Sequence, residues 1–67
     1  MTLNEWINKN IVGSYREKIS VVKQNETIVY HGTIDELLKS NSDLLKKEVD
    51  ENNSGFVIKK GYEVKLL

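Results

Sequence analysis

The chain has one histidine, His31, and no cysteine, so the side chains best suited to activating a nucleophile or ligating a transition metal are scarce. His31 would serve as a general acid or base only with a nucleophile or carboxylate in hydrogen-bond reach. Asp35 and Glu36 are close to it in sequence, and both fit better as first-turn residues of a helix. One histidine without cysteine also supplies too few ligands for a protein-held zinc. His31 therefore reads as a strand-end or surface residue. Glu48, Asp50 and Glu51, with Asn52 and Asn53, offer the oxygen ligands that calcium takes. They lack the alternating acids, central glycine and closing glutamate of an EF-hand, and a solvated loop explains them more simply. Gly13, Gly32, Gly55 and Gly61 occur singly, so no glycine run is available to cradle a phosphate. No catalytic, metal-binding or cofactor-binding residue is assigned, and the chain is expected not to be an enzyme.

Binding leaves two candidate surfaces. Lys46, Lys47, Lys59, Lys60 and Lys65 lie in the C-terminal half and form the candidate nucleic-acid patch, with Tyr62 near them. Glu48, Asp50, Glu51 and Glu63 are interleaved with these lysines, and the formal net charge is zero, whereas binding through phosphates requires a local basic excess. Tyr62 shares parity with Val64 and Leu66, which assigns it to the core. The other surface is apolar. Val22 and Val29 are expected as cross-strand neighbours on the sheet face turned away from the helices, with Val57 joining them. Scattered exposed valines are ordinary, but a contiguous trio would make a protein-contact face.

The elements that must position these residues follow from periodicity. Thr2 and Glu5 have capping-box spacing, and Leu3, Trp6, Ile7 and Ile11 make one stripe of a short helix closed by Gly13 and Ser14. From Tyr15 to Lys23 the period becomes two, with Ile19 and Val21 on one face. Gln24-Asn25-Glu26 is a turn, and Thr27 to His31 returns with Ile28 and Tyr30. A two- or four-residue loop would set Lys23 opposite Ile28, Val22 opposite Val29 and Val21 opposite Tyr30. Gly32 is expected to break the strand. Thr33-Ile34-Asp35-Glu36 is a second capping box, opening a helix that buries Ile34, Leu37 and Leu38 and stops near Asn41-Ser42. Residues 46–55 are expected to run as a loop after Val49. Phe56 to Lys59 and Tyr62 to Leu66 flank Lys60-Gly61, a two-residue turn signal. The fold class is α+β in the order α-β-β-α-β-β, an antiparallel sheet of two hairpins with helices on one face.

Residues 1–67 allow a single small globular domain, close to the size below which a hydrophobic core alone struggles to hold a fold. At 30% charged and 39% hydrophobic residues, the balance is that of a folded chain. The N-terminal residues lack a basic region followed by an apolar run, and no apolar stretch approaches the ~20 residues that span a bilayer. The expected location is the cytoplasm, away from membranes. Nine lysines against one arginine, with seven asparagines, match the output of AT-rich coding.

Tyr30-His31-Gly32-Thr33-Ile34-Asp35-Glu36-Leu37-Leu38, followed by Leu44-Leu45-Lys46-Lys47-Glu48-Val49 and a final hairpin, resembles short accessory proteins of phages, prophages and conjugative elements of Gram-positive bacteria. The resemblance covers nearly the whole chain but departs at Asp50 to Gly55, which is polar and longer here. Its motifs are a cap, a stripe and a turn, and they carry no site residues across. It implies an accessory role on a mobile genetic element. The expected function is protein–protein binding, to a second copy as a homodimer or to a host factor. The alternatives are a nucleic-acid-binding regulator and a minor structural part of a phage particle.

Overall fold

A computed structural model describes residues 1–13, 15–40 and 42–67. In chain order it contains helix α1 (Leu3–Asn10), strands β1 (Lys18–Val22) and β2 (Ile28–Thr33), and helices α2 (Ile34–Ser40) and α3 (Ser42–Leu45). A 3₁₀ turn (Glu51–Asn53) and strands β3 (Gly55–Val57) and β4 (Gly61–Lys65) complete it. The α+β class is as expected, and the order differs from α-β-β-α-β-β in adding α3 and the 3₁₀ turn between α2 and β3. The expected closures at Ser14 and Asn41 lie outside the described residues.

The sheet differs from expectation in direction. Its order is β2-β1-β4-β3, with antiparallel β1–β2 and β3–β4 hairpins joined through a parallel β1–β4 pair. The sheet is therefore mixed rather than wholly antiparallel. Alternation shows which face a residue takes but not which way a neighbouring strand runs. Here the direction follows from the connection: α2, α3 and the 3₁₀ turn carry the chain across one face, so β3 starts at the same end as β2, on the far edge.

That crossed face holds the core. Ile19 and Val21 of β1 and Val64 of β4 pack with Leu3, Trp6 and Ile7 of α1 and with Ile34 and Leu37 of α2. The capping box expected at α1 forms with both of its bonds, and of the one expected at α2 the Thr33 side-chain bond forms. Glu5 N–H donates to Thr2 Oγ1 at 3.2 Å and Thr2 N–H to Glu5 Oε1 at 2.8 Å, satisfying two donors freed at the start of α1. These bonds hold the Glu5 carboxyl below its ordinary pKa. At α2, Thr33 Oγ1 accepts from Glu36 N–H at 3.3 Å. The Glu17 and Tyr15 carbonyls take the N–H groups of Ile34 and Asp35. Those carbonyls occupy the loop before β1, which is why β1 begins at Lys18 and not at Tyr15.

Gly32 does not end β2 but sits inside it, opposite Ile19. A Cβ there would lie 2.9 Å from Tyr30 Oη. The glycine makes room for the Tyr30 ring, whose hydroxyl donates to the Thr33 carbonyl at 2.7 Å. The expected loop after Val49 is partly regular. Val49 is buried and bridges to Leu66, and the Asp50 N–H bonds the Lys65 carbonyl before the 3₁₀ turn.

Candidate functional site

With the helices on the Ile19–Val21 side, the opposite sheet face is uncovered. By register it carries Lys18, Ser20 and Val22 from β1, His31 and Ile28 from β2, Glu63 and Lys65 from β4, and Gly55 and Val57 from β3. The chemistry of this face depends on two loops whose lengths differ from expectation.

In the first hairpin, Glu26 N–H closes a turn on the Lys23 carbonyl and Lys23 N–H bonds the Thr27 carbonyl. Glu26 takes a φ of +69°, and Asn25 Oδ1 accepts from Thr27 N–H. The loop therefore has three residues, an odd number, and it pairs Val22 with Ile28 rather than with Val29. A bulge at Val29 then restores Val21 opposite Tyr30, as expected. Ile28 is thereby moved off the core face and is 61% exposed, with the bulged Val29 beside it at 37%.

The expected Val22, Val29 and Val57 trio does not form. Val22 is 5% exposed, buried on a face that no helix covers. Its parallel neighbour is Lys65, whose ammonium reaches Glu26 Oε1 at 2.7 Å beyond the end of β1. The two residues share this face as register partners, and Glu26 raises the Lys65 pKa above its ordinary value. Val29 and Val57 sit on opposite edge strands, with two strands between them.

The five lysines of the expected nucleic-acid patch also separate. Lys65 is committed to Glu26. Lys46 and Lys47 follow α3 at the end of the sheet where β1 and β4 finish. Lys47 there lines a shallow cavity of about 450 Å³ with Lys23, Gln24, Glu48 and Leu67. Gln24 Nε2 donates to the Leu66 carbonyl at 2.6 Å and to Asp50 Oδ2 at 3.3 Å at this end. Asn53 adds a bond at 2.8 Å to the same carboxylate oxygen, and together these donors lower the Asp50 pKa. Lys59 and Lys60 occupy the opposite end. The parallel β1–β4 pair brings Arg16 and Lys18 beside them, around a cavity of about 310 Å³ that Glu17, Phe56 and Gly61 also line. Sequence reasoning missed Arg16 and Lys18 because only strand direction places them there.

Ser20, whose Oγ lies 2.8 Å from His31 Nδ1, was also missed in sequence. The pairing of Val21 with Tyr30 implies it, since the next residues outward then face each other. Glu63 is the parallel partner of Ser20 on its other side, so the three form a row across the open face with serine in the middle. In a catalytic relay the histidine stands between serine and carboxylate, and this order differs. The acids once weighed for calcium point to separate partners. Glu48 meets the N-terminal ammonium at 3.3 Å, Glu51 is 4.0 Å from Lys9, and Asp50 serves Asn53 and Gln24. Among the described residues no His, Cys, Asp or Glu group has the makings of a metal site. Among them also, no helix is long and apolar enough to cross a membrane.

Fold and surface define a small α+β domain with helices on one sheet face, a mixed polar and apolar opposite face, and cations gathered at one end. Comparison with protein-family models, curated proteins and solved structures finds no match.

Proposed function

We propose that the chain acts by binding a protein, as a non-enzymatic accessory module of a phage or other mobile genetic element. The observation that carries this reading is the exposure of Ile28 and Val29 side by side on edge strand β2, next to an uncovered sheet face. Edge strands present unpaired backbone groups along with their side chains, and an adjoining apolar pair gives a partner surface to bury. A second copy is the simplest occupant, because a two-fold axis lets the patch meet itself. A host protein with an exposed strand would use the same edge. The accessory role rests on the resemblance of Tyr30 to Val49 to small proteins of such elements. Ser20 and His31 lie on the open face in contact with bulk water, whereas acyl-transfer chemistry gains from water exclusion and preorganised donors.

Sedimentation over micromolar to several hundred micromolar concentration tests the homodimer. Association is expected in the wild type and loss of it in an Ile28→Lys, Val29→Lys variant. A clean monomer at the highest concentration removes the dimer, and a variant that associates as the wild type does removes this edge. His31→Ala is expected to leave association and biological activity intact. Loss of activity in a well-folded His31→Ala protein would overturn the non-enzymatic reading.

A further inference from the structure

The end of the sheet where β1 and β4 begin is basic in a chain with no net charge. Arg16, Lys18, Lys59 and Lys60 surround one cavity of about 310 Å³ against a single acid, Glu17. Glu26, Glu48 and Asp50 lie away from this cavity, held by Lys65, the N-terminus and the Gln24–Asn53 amides. An excess of like charges around one concavity repels itself and raises the local concentration of anions.

Two further observations give the cavity a character beyond its charge. Phe56 lines it and remains 57% exposed, although its ring also meets Tyr62 edge to face at 5.1 Å. Lys59 adopts a φ of +71° in the turn closed by Lys60 N–H on the Val57 carbonyl. A lysine in the left-handed region costs energy that glycine would avoid, and Glu26 holds the same conformation in the three-residue loop of the first hairpin.

We propose that this cleft is a binding site for single-stranded nucleic acid. The phosphodiester backbone runs between the Lys59–Lys60 turn and the Arg16–Lys18 segment, and one base lies against the Phe56 ring. Cations that follow a backbone, combined with an exposed aromatic ring, are the elements of sequence-tolerant single-strand binding, because every base has a π-face. An acidic peptide would satisfy the cations but would leave the ring unused. The site lies at the end of the sheet where β1 begins, whereas Ile28 pairs with Val22 at the end where β1 finishes, so either can exist without the other.

Fluorescence anisotropy with a labelled twelve-residue oligothymidylate tests the proposal on the full chain. Binding is expected at low salt and should weaken as salt rises, with a log–log slope of about −1.4 for two neutralised phosphates at ~0.7 each. Lys59→Gly, which relieves the backbone while deleting the charge, combined with Lys60→Gln should lower affinity at least tenfold with the fold intact by circular dichroism. Phe56→Leu keeps apolar bulk but removes the ring, and should cost about tenfold, the lower range for loss of base stacking. Lys46→Gln with Lys47→Gln, at the opposite end, should change little. The proposal fails if the oligonucleotide does not bind, or if the Lys46/Lys47 variant loses as much as the Lys59/Lys60 variant. It also fails if polyglutamate displaces the oligonucleotide at equal charge concentration, which would mark the cleft as a site for acidic protein.

Discussion

The two faces of the sheet hide their side chains by different means. On the covered face, Val21 is buried among α1, α2 and its own neighbours, in one continuous apolar cluster. On the open face, the adjacent Val22 is nearly as inaccessible, yet its cross-strand neighbours are exposed Ile28 and the ion-paired Lys65. Packing of the first kind involves many residues and tolerates little change. Burial of the second kind involves Lys65 and Glu26, both at the protein surface, and exposed ion pairs contribute little by themselves. Equal burial therefore does not imply equal contribution to stability.

Substitutions can break this comparison in a defined order. Gly61→Ala should have the largest effect, because it damages both faces at once. Gly61 has a φ of +90°, and an added Cβ would collide with the Lys18 carbonyl oxygen. The clash is with backbone at the parallel β1–β4 junction, and a loss above about 4 kcal/mol, visible as an unfolded spectrum by circular dichroism, is the expectation. Trp6→Ala follows. Trp6 is buried on the covered face and meets Tyr62 edge to face at 6.0 Å, and its truncation should cost ~3–5 kcal/mol in urea denaturation. Val22→Lys should come third, at about 2 kcal/mol, since a new cation must compete with Lys65 for the same space. Its near neighbour Ile28→Lys, already exposed, should change stability by less than ~0.5 kcal/mol. If Val22→Lys proved as harmless as Ile28→Lys, the burial of Val22 would be of no energetic account.

The smallest effect concerns pH. Hydrogen bonds from Asn53 and Gln24 lower the Asp50 pKa, and the Thr2 bonds lower that of Glu5. A carboxyl whose folded pKa is lowered contributes stability above its unfolded pKa, and loses that contribution as pH falls through the folded value. Loosening at residues 50–54 and at the start of α1 is thus expected below about pH 4, the ordinary carboxyl range. Amide exchange at Asn53 and Glu5, compared between pH 6 and pH 3, would reveal it. Unchanged protection would mean that the backbone bonds alone hold these segments.

Local signals were legible in the sequence wherever one element sufficed to set them. The Thr2–Glu5 cap, the Leu3–Trp6–Ile7 stripe and the two hairpins depend on residues within a few positions of one another. What escaped depended on counting through loops or joining distant strands. A three-residue loop in place of a two- or four-residue one moved Ile28 to the open face, and the compensating bulge at Val29 is not encoded by alternation. The second hairpin repeats this: Val57 pairs with Gly61 around Ile58-Lys59-Lys60, where Lys60-Gly61 suggested a shorter turn. The candidate sites suffered most. Val22 is paired with a lysine over forty positions away, and Arg16 and Lys18 reach Lys59 and Lys60 only because β1 and β4 run the same way.

The parallel β1–β4 pair also bears on the path by which the chain reaches its native state. Each hairpin closes through a short loop and can form within microseconds, but an isolated two-stranded hairpin is marginal in water. Ile19 and Tyr62 are far apart along the chain, and their strands are the centre of the sheet. The entropy of bringing them together must be spent before either hairpin gains a lasting neighbour. Half-formed chains therefore gain little, and Trp6 fluorescence and far-ultraviolet circular dichroism should report one coincident unfolding transition.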